Sequence, residues 1–576
     1  MYDSKSGKFS NWTSYDLYNL PATEIVTHFE GISANSDGTY TLATAGLDPI
    51  TSESKQGALA IVSRLKNGSF SPASYTTLSY LNSDLTIPTS VAGSISTGLA
   101  LGPTTPYTAD TQLTFKSSNI ISGNGGNGIG VYGGHDNIIY SNYIGTDLTG
   151  TLDLGNQKSG ILLTSHSLRN NIGGVATGGN NPTSNVFAVP PQGNLISGNG
   201  DYGVRIDKNS QQNTLSGNYI GTQSSGNLEL GNTKDGVSID GANNNSLLGT
   251  TFSQPPFVFY NVISGNGGEG LSVNNSNNII VQANFFGVGS NNNSLVPNAG
   301  NGVLIKGTSR NTQFGGVIPL GNVSGGNALN GIEVKDKVRG FISFNTFGGL
   351  FAFAGAAPNG GDGILITSSG GNNLLRTNVI SGNMGNGIHI SGDAKGVTID
   401  PNIVGLDTTG EAELSGGSNH LNGVLIDGNA NHITIGGSLK SIIPQNTFSG
   451  NGSYGLAILG NAHDNIVFNT FVGVSSTGNF TTLGNKSGGI LVAESAKLNR
   501  IGPSGDEPTN IVNYNIGNGI SLLGASNNEV ISNTVNRNTA SGIYVNDSFA
   551  NAISNNLASF NSFYGYQSKY YNTEVS

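Results

Sequence analysis

The chain has 576 residues and a formal net charge of −10, with 88 glycines, no cysteine and only 10% charged residues. Its basic residues form no run, which argues against nucleic acid as a partner, because phosphate binding needs a clustered cationic surface. No stretch reaches the ~18 apolar residues of a membrane-spanning helix, and the opening MYDSKSGKFSNW lacks the basic start and apolar run of a signal peptide. An exported protein that avoids thiols has such a composition, but the lack of cysteine identifies no compartment by itself.

Residues 1–115 share no repeat with the rest and carry the single tryptophan, Trp12. Thr39–Ala43, Ala58–Val62 and Tyr75–Tyr80 read as short strands separated by Gly, Ser and Asn. The expectation is a small β-rich N-terminal domain or cap, since a repeat array otherwise begins with an unpaired edge. Thr89–Thr111, rich in Ser, Thr, Gly and Pro, reads as the join.

Residues 116–560 repeat. ISGN stands at Ile121–Asn124, Ile196–Asn199, Ile263–Asn266 and Ile380–Asn383, and FSGN at Phe448–Asn451. A G-I-x-I tetrad, with Val or Leu allowed, begins at Gly128, Gly160, Gly203 and eleven later glycines ending at Gly542. The mean step is roughly 32 residues, but Gly363 to Gly387 takes 24 and Gly519 to Gly542 takes 23, so a bare rung is about 23 residues and longer rungs carry inserted loops. Each rung reads as three short strands. For the first rung these are Gly128–Tyr132, Asn137–Ser141 and, after a loop, Asn194–Ser197.

Stacked rungs of this kind predict an all-β, right-handed parallel β-helix of about 14 rungs, roughly 65 Å long at the inter-strand spacing. Alternation turns Ile129 and Val131, Val204 and Ile206, and Ile388 and Ile390 inward, leaving the residue between each pair outside. Asn124, Asn199, Asn266, Asn383 and Asn451 fall in one column, and Asn142, Asn218 and Asn284 in another. Their expected role is structural, because stacked asparagines bond along the column.

The pattern N-x-I-x-x-N-x-I-G-T-x-x-x-G, then L-G-N, then G-I-x-I, is fullest at Tyr140–Asn156 and Ser216–Asn232. It resembles the parallel β-helix repeats of bacterial surface and secreted proteins of the pectate-lyase-like superfamily. That resemblance implies the fold but leaves function open, since the superfamily holds pectate lyases, polygalacturonases, alginate epimerases, phage tailspikes and non-catalytic adhesins. The polygalacturonase set N-T-D, D-D, G-H-G and R-I-K is missing, and Arg205-Ile206-Asp207-Lys208 is only a passing similarity.

Candidate residues come from the outward columns. Asp207 and Asp240 occupy equivalent places on successive rungs, about 5 Å apart, where paired carboxylates serve as acid and base or hold calcium. Arg205 lies beside them as a partner for a uronic-acid carboxylate, and Asp235 is a further candidate metal ligand. Against this stands a solvated ion pair with Arg205. His389, with Asp393, Asp400 and Asp407 following, is a candidate ligand-binding residue, although that spacing runs around the rung. Outward leucines at Leu162, Leu304, Leu365, Leu425 and Leu491 need cover on a soluble protein, either from loops such as Gly145–Asn156, Gly221–Asn232 and Gly473–Asn485 or from a bound sugar chain or partner. No calcium-loop motif is present, so no cofactor is required, with Ca²⁺ as the one candidate.

Asn561–Ser576 departs from the repeat and reads as a C-terminal tail or cap, with pairing to a second copy, in an oligomer or filament, as the alternative. The functional expectation is a non-catalytic binding or structural role at the cell surface, adhesin-like or in assembly, with a polysaccharide or surface glycan as partner. The alternatives are a polysaccharide lyase, glycoside hydrolase or epimerase, and a subunit of an extracellular filament or surface layer.

Overall fold

The computed structural model describes residues 119–174, 193–249, 260–317, 319–352, 355–437, 445–479 and 483–569, plus the backbone of strands outside those ranges. Trp12, and the join at Thr89–Thr111 apart from its strand Leu99–Leu101, lie outside the described residues.

Three parallel sheets of 16, 16 and 15 strands, here I, II and III, enclose one apolar core. One coil runs from Ile129–Tyr132 in sheet I to Ile138–Ile139 in sheet II and Tyr143–Ile144 in sheet III, then returns to sheet I at Ile161–Thr164. Each strand pairs in register one coil later: Ile129 with Ile161, Ile138 with Asn171, Tyr143 with Leu195. The coil is a right-handed parallel β-helix, the hand that parallel crossovers take. The inward pairs are buried as alternation requires, Val204, Ile206, Ile388 and Ile390 all at 0% exposure.

The third strand of the first rung is a correction to the sequence reading. It is Tyr143–Ile144, two residues past Asn137–Ser141, whereas Leu195–Ile196 belongs to the next rung. Ser141 at φ 56° makes this corner tight enough to need no loop.

Asparagines hold the corners. One ladder runs from Asn124 through Asn156, Asn199, Asn232 and Asn266 onward to Asn561, each Nδ2 donating to the next Oδ1 at distances such as 2.7 and 2.8 Å. A second links Asn119, Asn142, Asn194, Asn218, Asn261 and Asn284. The glycine opening each sheet I strand exists for clearance. A Cβ on Gly160 would lie 2.5 Å from Ile196 Cγ2 and 2.8 Å from the Gly203 carbonyl.

The inserted loops alternate. Odd rungs up to the eleventh carry arches between sheets III and I, closed by bridges such as Thr146–Asp153, Thr222–Glu229 and Val288–Leu295. Insertions between sheets II and III fall on even rungs, as between Gly173 and Leu195 or Phe314 and Val323. The corner between sheets I and II stays at five to seven residues from Tyr132–Ile138 to Asn546–Ala552. The arches pack on sheet III: Val288, Phe351 and Ala357 join Leu195, Tyr219, Val262 and Phe285 in one buried cluster. Successive arches also touch, Ser224 N–H donating to the Gly150 carbonyl and Ser290 N–H to that of Gly226, at 2.9 Å each.

At the N-terminal side, Ile25–Ala34, Thr39–Leu47, Ser54–Ser63 and Ser74–Thr77 form a four-stranded antiparallel sheet in a compact unit, Met1–Leu99. Thr114–Phe115 already pairs with Ile138–Ile139 in sheet II. At the other end, Tyr566–Lys569 pairs with Ile543–Asn546 and Glu574–Val575 with Ala552–Ser554, so the tail adds strands to sheets I and II.

Candidate functional site: the outer face of sheet I

Sheet I presents three outward columns. The middle one runs Leu162, Arg205, Ser238, Ser272, Leu304, Glu333, Leu365, His389 and Leu425 in unbroken register. The column two residues later includes Asp207, Asp240, Asn274, Lys306 and Asp427. The arches that were candidates to cover the outward leucines pack on sheet III instead. Leu304 is buried, Leu162 and Leu365 are half-buried, and Leu425 packs with Ala457 and Leu491. The face therefore divides into a largely polar stretch from Tyr202 to His389 and an apolar one from Leu425 to Leu523.

Asp207 and Asp240 are register partners. Arg205 Nε lies 3.0 Å from Asp207 Oδ2, while Asp240 Oδ1 accepts Asn274 Nδ2 at 2.8 Å. The Arg205 guanidinium lies 5.4 Å from the centre of the Tyr202 ring and Lys234 Nζ 5.1 Å from it, with Lys234 paired to Asp201 at 2.7 Å. Asp235 is engaged elsewhere, its Oδ1 accepting the Glu269 N–H at 2.9 Å. Among the described residues no group of three or more His, Cys, Asp or Glu is arranged to hold a metal ion; Asp207 and Asp240 are neighbours in one column, and Asp235 stands in another.

Asp235, Glu269 and Asp362 share the third column, just before each sheet I glycine. Elsewhere in this column the residue is often Asn: Asn301, Asn330, Asn386 and Asn422 each accept the next rung's N–H at 2.8–3.2 Å. Asp235 and Asp362 accept the same bond at 2.9 and 2.6 Å, and Glu269 accepts it from Asn301. Burial pushes the Asp235 carboxyl up from its ordinary value, against the opposing N–H of Glu269. Glu269 is also pushed up, by burial first and then by the negative charges of Asp235 and Glu333, against the Asn301 hydrogen bond.

His389 sits between two carboxylates. Nδ1 lies 2.9 Å from Asp362 Oδ2 and Nε2 lies 3.2 Å from Asp427 Oδ1. The second contact lacks hydrogen-bonding geometry, leaving Nε2 and Oδ1 each without a hydrogen-bond partner. Burial alone would lower the imidazole pKa, but Asp362 and Asp427 outweigh it and raise it above the ordinary value. The carboxylates at His389 are therefore Asp362 and Asp427, and not the Asp393, Asp400 and Asp407 that follow it in the chain. Asp393 instead accepts Asn429, Asp400 pairs with Arg376 on sheet II, and Asp407 caps its own arch through Thr409. The signal in the chain is the third column, where Asp362 stands between the rungs of Asn330 and Asn386.

No known protein family matches the sequence, and no curated protein matches it. Among solved structures the chain is similar to the A-module of Azotobacter vinelandii mannuronan C-5 epimerase AlgE6, with 14% identity, 78% of this chain and 92% of that chain covered, and a TM-score of 0.30. A mutant of the periplasmic alginate epimerase AlgG gives 12% identity, 72% and 84% coverage, and 0.32. PfbA, a surface adhesin of Streptococcus pneumoniae, gives 10%, 72%, 86% and 0.22. The chain is a parallel β-helix repeat protein. Fold alone does not carry function. No helix among the described residues is long and apolar enough to cross a membrane.

Proposed function

We propose that this is an extracellular or cell-surface β-helix protein whose sheet I face binds an extended polysaccharide. One observation carries the reading. The arches close sheet III, whereas sheet I keeps a row of half-buried polar side chains, including Arg205, Asp240, Glu269, Glu333 and His389, one or two rungs apart. Such a row matches a linear polymer laid along the stack, since each rung offers the next residue of the polymer a hydrogen-bonding group. Ion pairing within the row, Arg205 with Asp207 and Glu333 with Lys335, holds these side chains in place.

A glycan array followed by titration of the hits tests the reading. Arg205→Ala and His389→Ala, on the face, are expected to weaken binding, while Leu228→Ala on an arch leaves it unchanged. Loss of binding in the arch variant alone would sink it.

A second reading is favoured by His389 alone. An imidazole held between two carboxylates is equipped to move a proton, as a polysaccharide lyase, hydrolase or epimerase requires. Under that reading His389 is the proton-transfer residue, with Asp362 and Asp427 setting its orientation and charge. Incubation of polysaccharides with wild type and His389→Gln, followed by NMR and chromatography, separates the two: unaltered polymer in both samples leaves binding alone.

A further inference from the structure

The corner between sheets I and II stacks one residue per rung. Backbone bridges join Asn277, Arg310 and Arg339 on consecutive rungs, and Lys395, Asn431, His463 and Lys497 on later ones. No Asp or Glu stands among the residues so bridged, which also include His135, Leu168 and Gln211. On a chain of net charge −10 this column gathers cations that the sequence scatters, because each rung contributes only one.

The charge is densest at Arg310 and Arg339. Their backbones neighbour one another at the strand spacing of about 4.8 Å, and like charges placed opposite each other weaken the pairing. Leu168, Gln211 and Asn277 fill the same position with neutral side chains, so the coil itself does not require arginine there. Lys306 and Lys337 flank the pair. Arg310, Lys337 and Arg339 are exposed and Lys306 is half-buried. Among the described residues none of these four cations takes part in an ion pair. The acids beside them in the chain are engaged elsewhere: Asp336 Oδ2 accepts the Gly307 N–H at 2.8 Å, and Glu333 pairs with Lys335 at 3.3 Å.

A second observation leaves the column open. Insertions enlarge both other corners, whereas this one stays at five to seven residues from Tyr132–Ile138 to Asn546–Ala552, so no arch rises from it. It also adjoins the sheet I face directly, since Lys306 stands in that face's register with Asn274.

We infer that the corner between sheets I and II binds tetrahedral oxyanion esters, sulfate or phosphate groups, carried by the polysaccharide that lies on the adjoining sheet I face. This rests on the polysaccharide reading above and names the substituent the polymer bears. Such an ester presents three terminal oxygens, enough to accept from both guanidinium groups at once with Lys306 and Lys337 alongside. A carboxylate has two oxygens and is filled by one bidentate arginine. Lys395, His463 and Lys497 extend the column and meet later substituents of the same polymer.

The test is calorimetric titration of the full chain at pH 7 with glucan oligosaccharides of equal length. One is neutral, and the others carry equal numbers of sulfate, phosphate or carboxymethyl groups. The wild type is compared with Arg310→Gln combined with Arg339→Gln. A control, Lys158→Gln combined with Lys486→Gln, removes the same charge from exposed sites between sheets III and I. Circular dichroism checks each fold. The wild type is expected to bind the sulfate or the phosphate oligomer most tightly, and the one that ranks first names the ester. The arginine variant is expected to lose about tenfold or more of that affinity, while the control keeps it. Unchanged affinity in the arginine variant, an equal loss in the control, or tightest binding of the carboxymethyl or neutral oligomer overturns the inference and leaves the polysaccharide reading standing. A DNA oligonucleotide of matched charge bound more tightly than either ester also overturns it. Binding of none of the oligosaccharides overturns both.

Discussion

His389 Nδ1 lies 2.9 Å from Asp362 Oδ2, joining a residue of the outward column to the ladder position one rung earlier. Asp427, one rung later, faces the other ring nitrogen at 3.2 Å, so one imidazole spans three rungs of sheet I. Its pKa is raised above the ordinary 6.5. The contribution of this clamp to stability is therefore full below the ordinary imidazole range and is lost as pH rises through the raised value. Thermal unfolding between pH 5 and pH 9 is expected to show the wild type losing stability relative to His389→Gln across that window. Parallel curves would contradict the clamp.

Asp235 and Glu269 carry the opposite lesson. Both folded-state values are raised, so the folded chain holds these protons more tightly than the unfolded chain and stability falls as pH rises through the carboxylate range. Asp235→Asn combined with Glu269→Gln keeps the ladder acceptors and removes the charge. The double variant is expected to gain stability of the order of 1 kcal/mol at pH 7, and to lose that advantage near pH 4, by urea denaturation at both pH values.

Asn266 illustrates what the ladders hold. It accepts Asn232 Nδ2 at 3.0 Å and donates to Asn298 Oδ1 at 3.0 Å and to the Ile220 carbonyl at 3.1 Å, fully inside the coil. Asn266→Ala leaves buried polar atoms of neighbouring rungs unpaired, at about 1–3 kcal/mol each. Chemical denaturation is expected to show a loss of about 2–4 kcal/mol, whereas Asn293→Ala, on the exposed turn of an arch, costs little.

Gly203 tests clearance. A Cβ there would sit 2.5 Å from Ile220 Cγ2 and 2.6 Å from the Gly236 carbonyl. Gly203→Ala must push two rungs apart and is expected to cost about 1–3 kcal/mol, read as a lowered unfolding midpoint. Gly126→Ala, with nothing within 4 Å of the added carbon, serves as the neutral control.

Much of this architecture is visible in the chain itself, and the part that is not has physical reasons. Ile129 and Val131 declare the core because side-chain direction follows strand alternation, and the register Arg205–Ser238–Ser272–Leu304 follows once the glycines are aligned. The destination of the arches did not follow. Gly145–Asn156 leaves sheet III and folds back over it, and only the contact of its tip with Leu195 and Ser224 reveals the direction. The place of Asp362 is hidden for a related reason. It precedes the glycine used for alignment, so it fell outside the outward columns although it contacts His389. The tail strand Tyr566–Lys569 lacks the G-I-x-I wording yet pairs in register with Ile543–Asn546, because backbone hydrogen bonding does not require apolar side chains.

The central claim is that the sheet I face, and not the arch layer over sheet III, is where a glycan lies. Hydroxyl-radical footprinting of the full chain, with and without a bound oligosaccharide, tests it most directly. Protection is expected at Tyr202, Leu365, His389 and Leu425, with Leu148, Leu152, Leu228 and Leu295 of the arches unchanged. Protection of the arch leucines with none on sheet I would contradict the account.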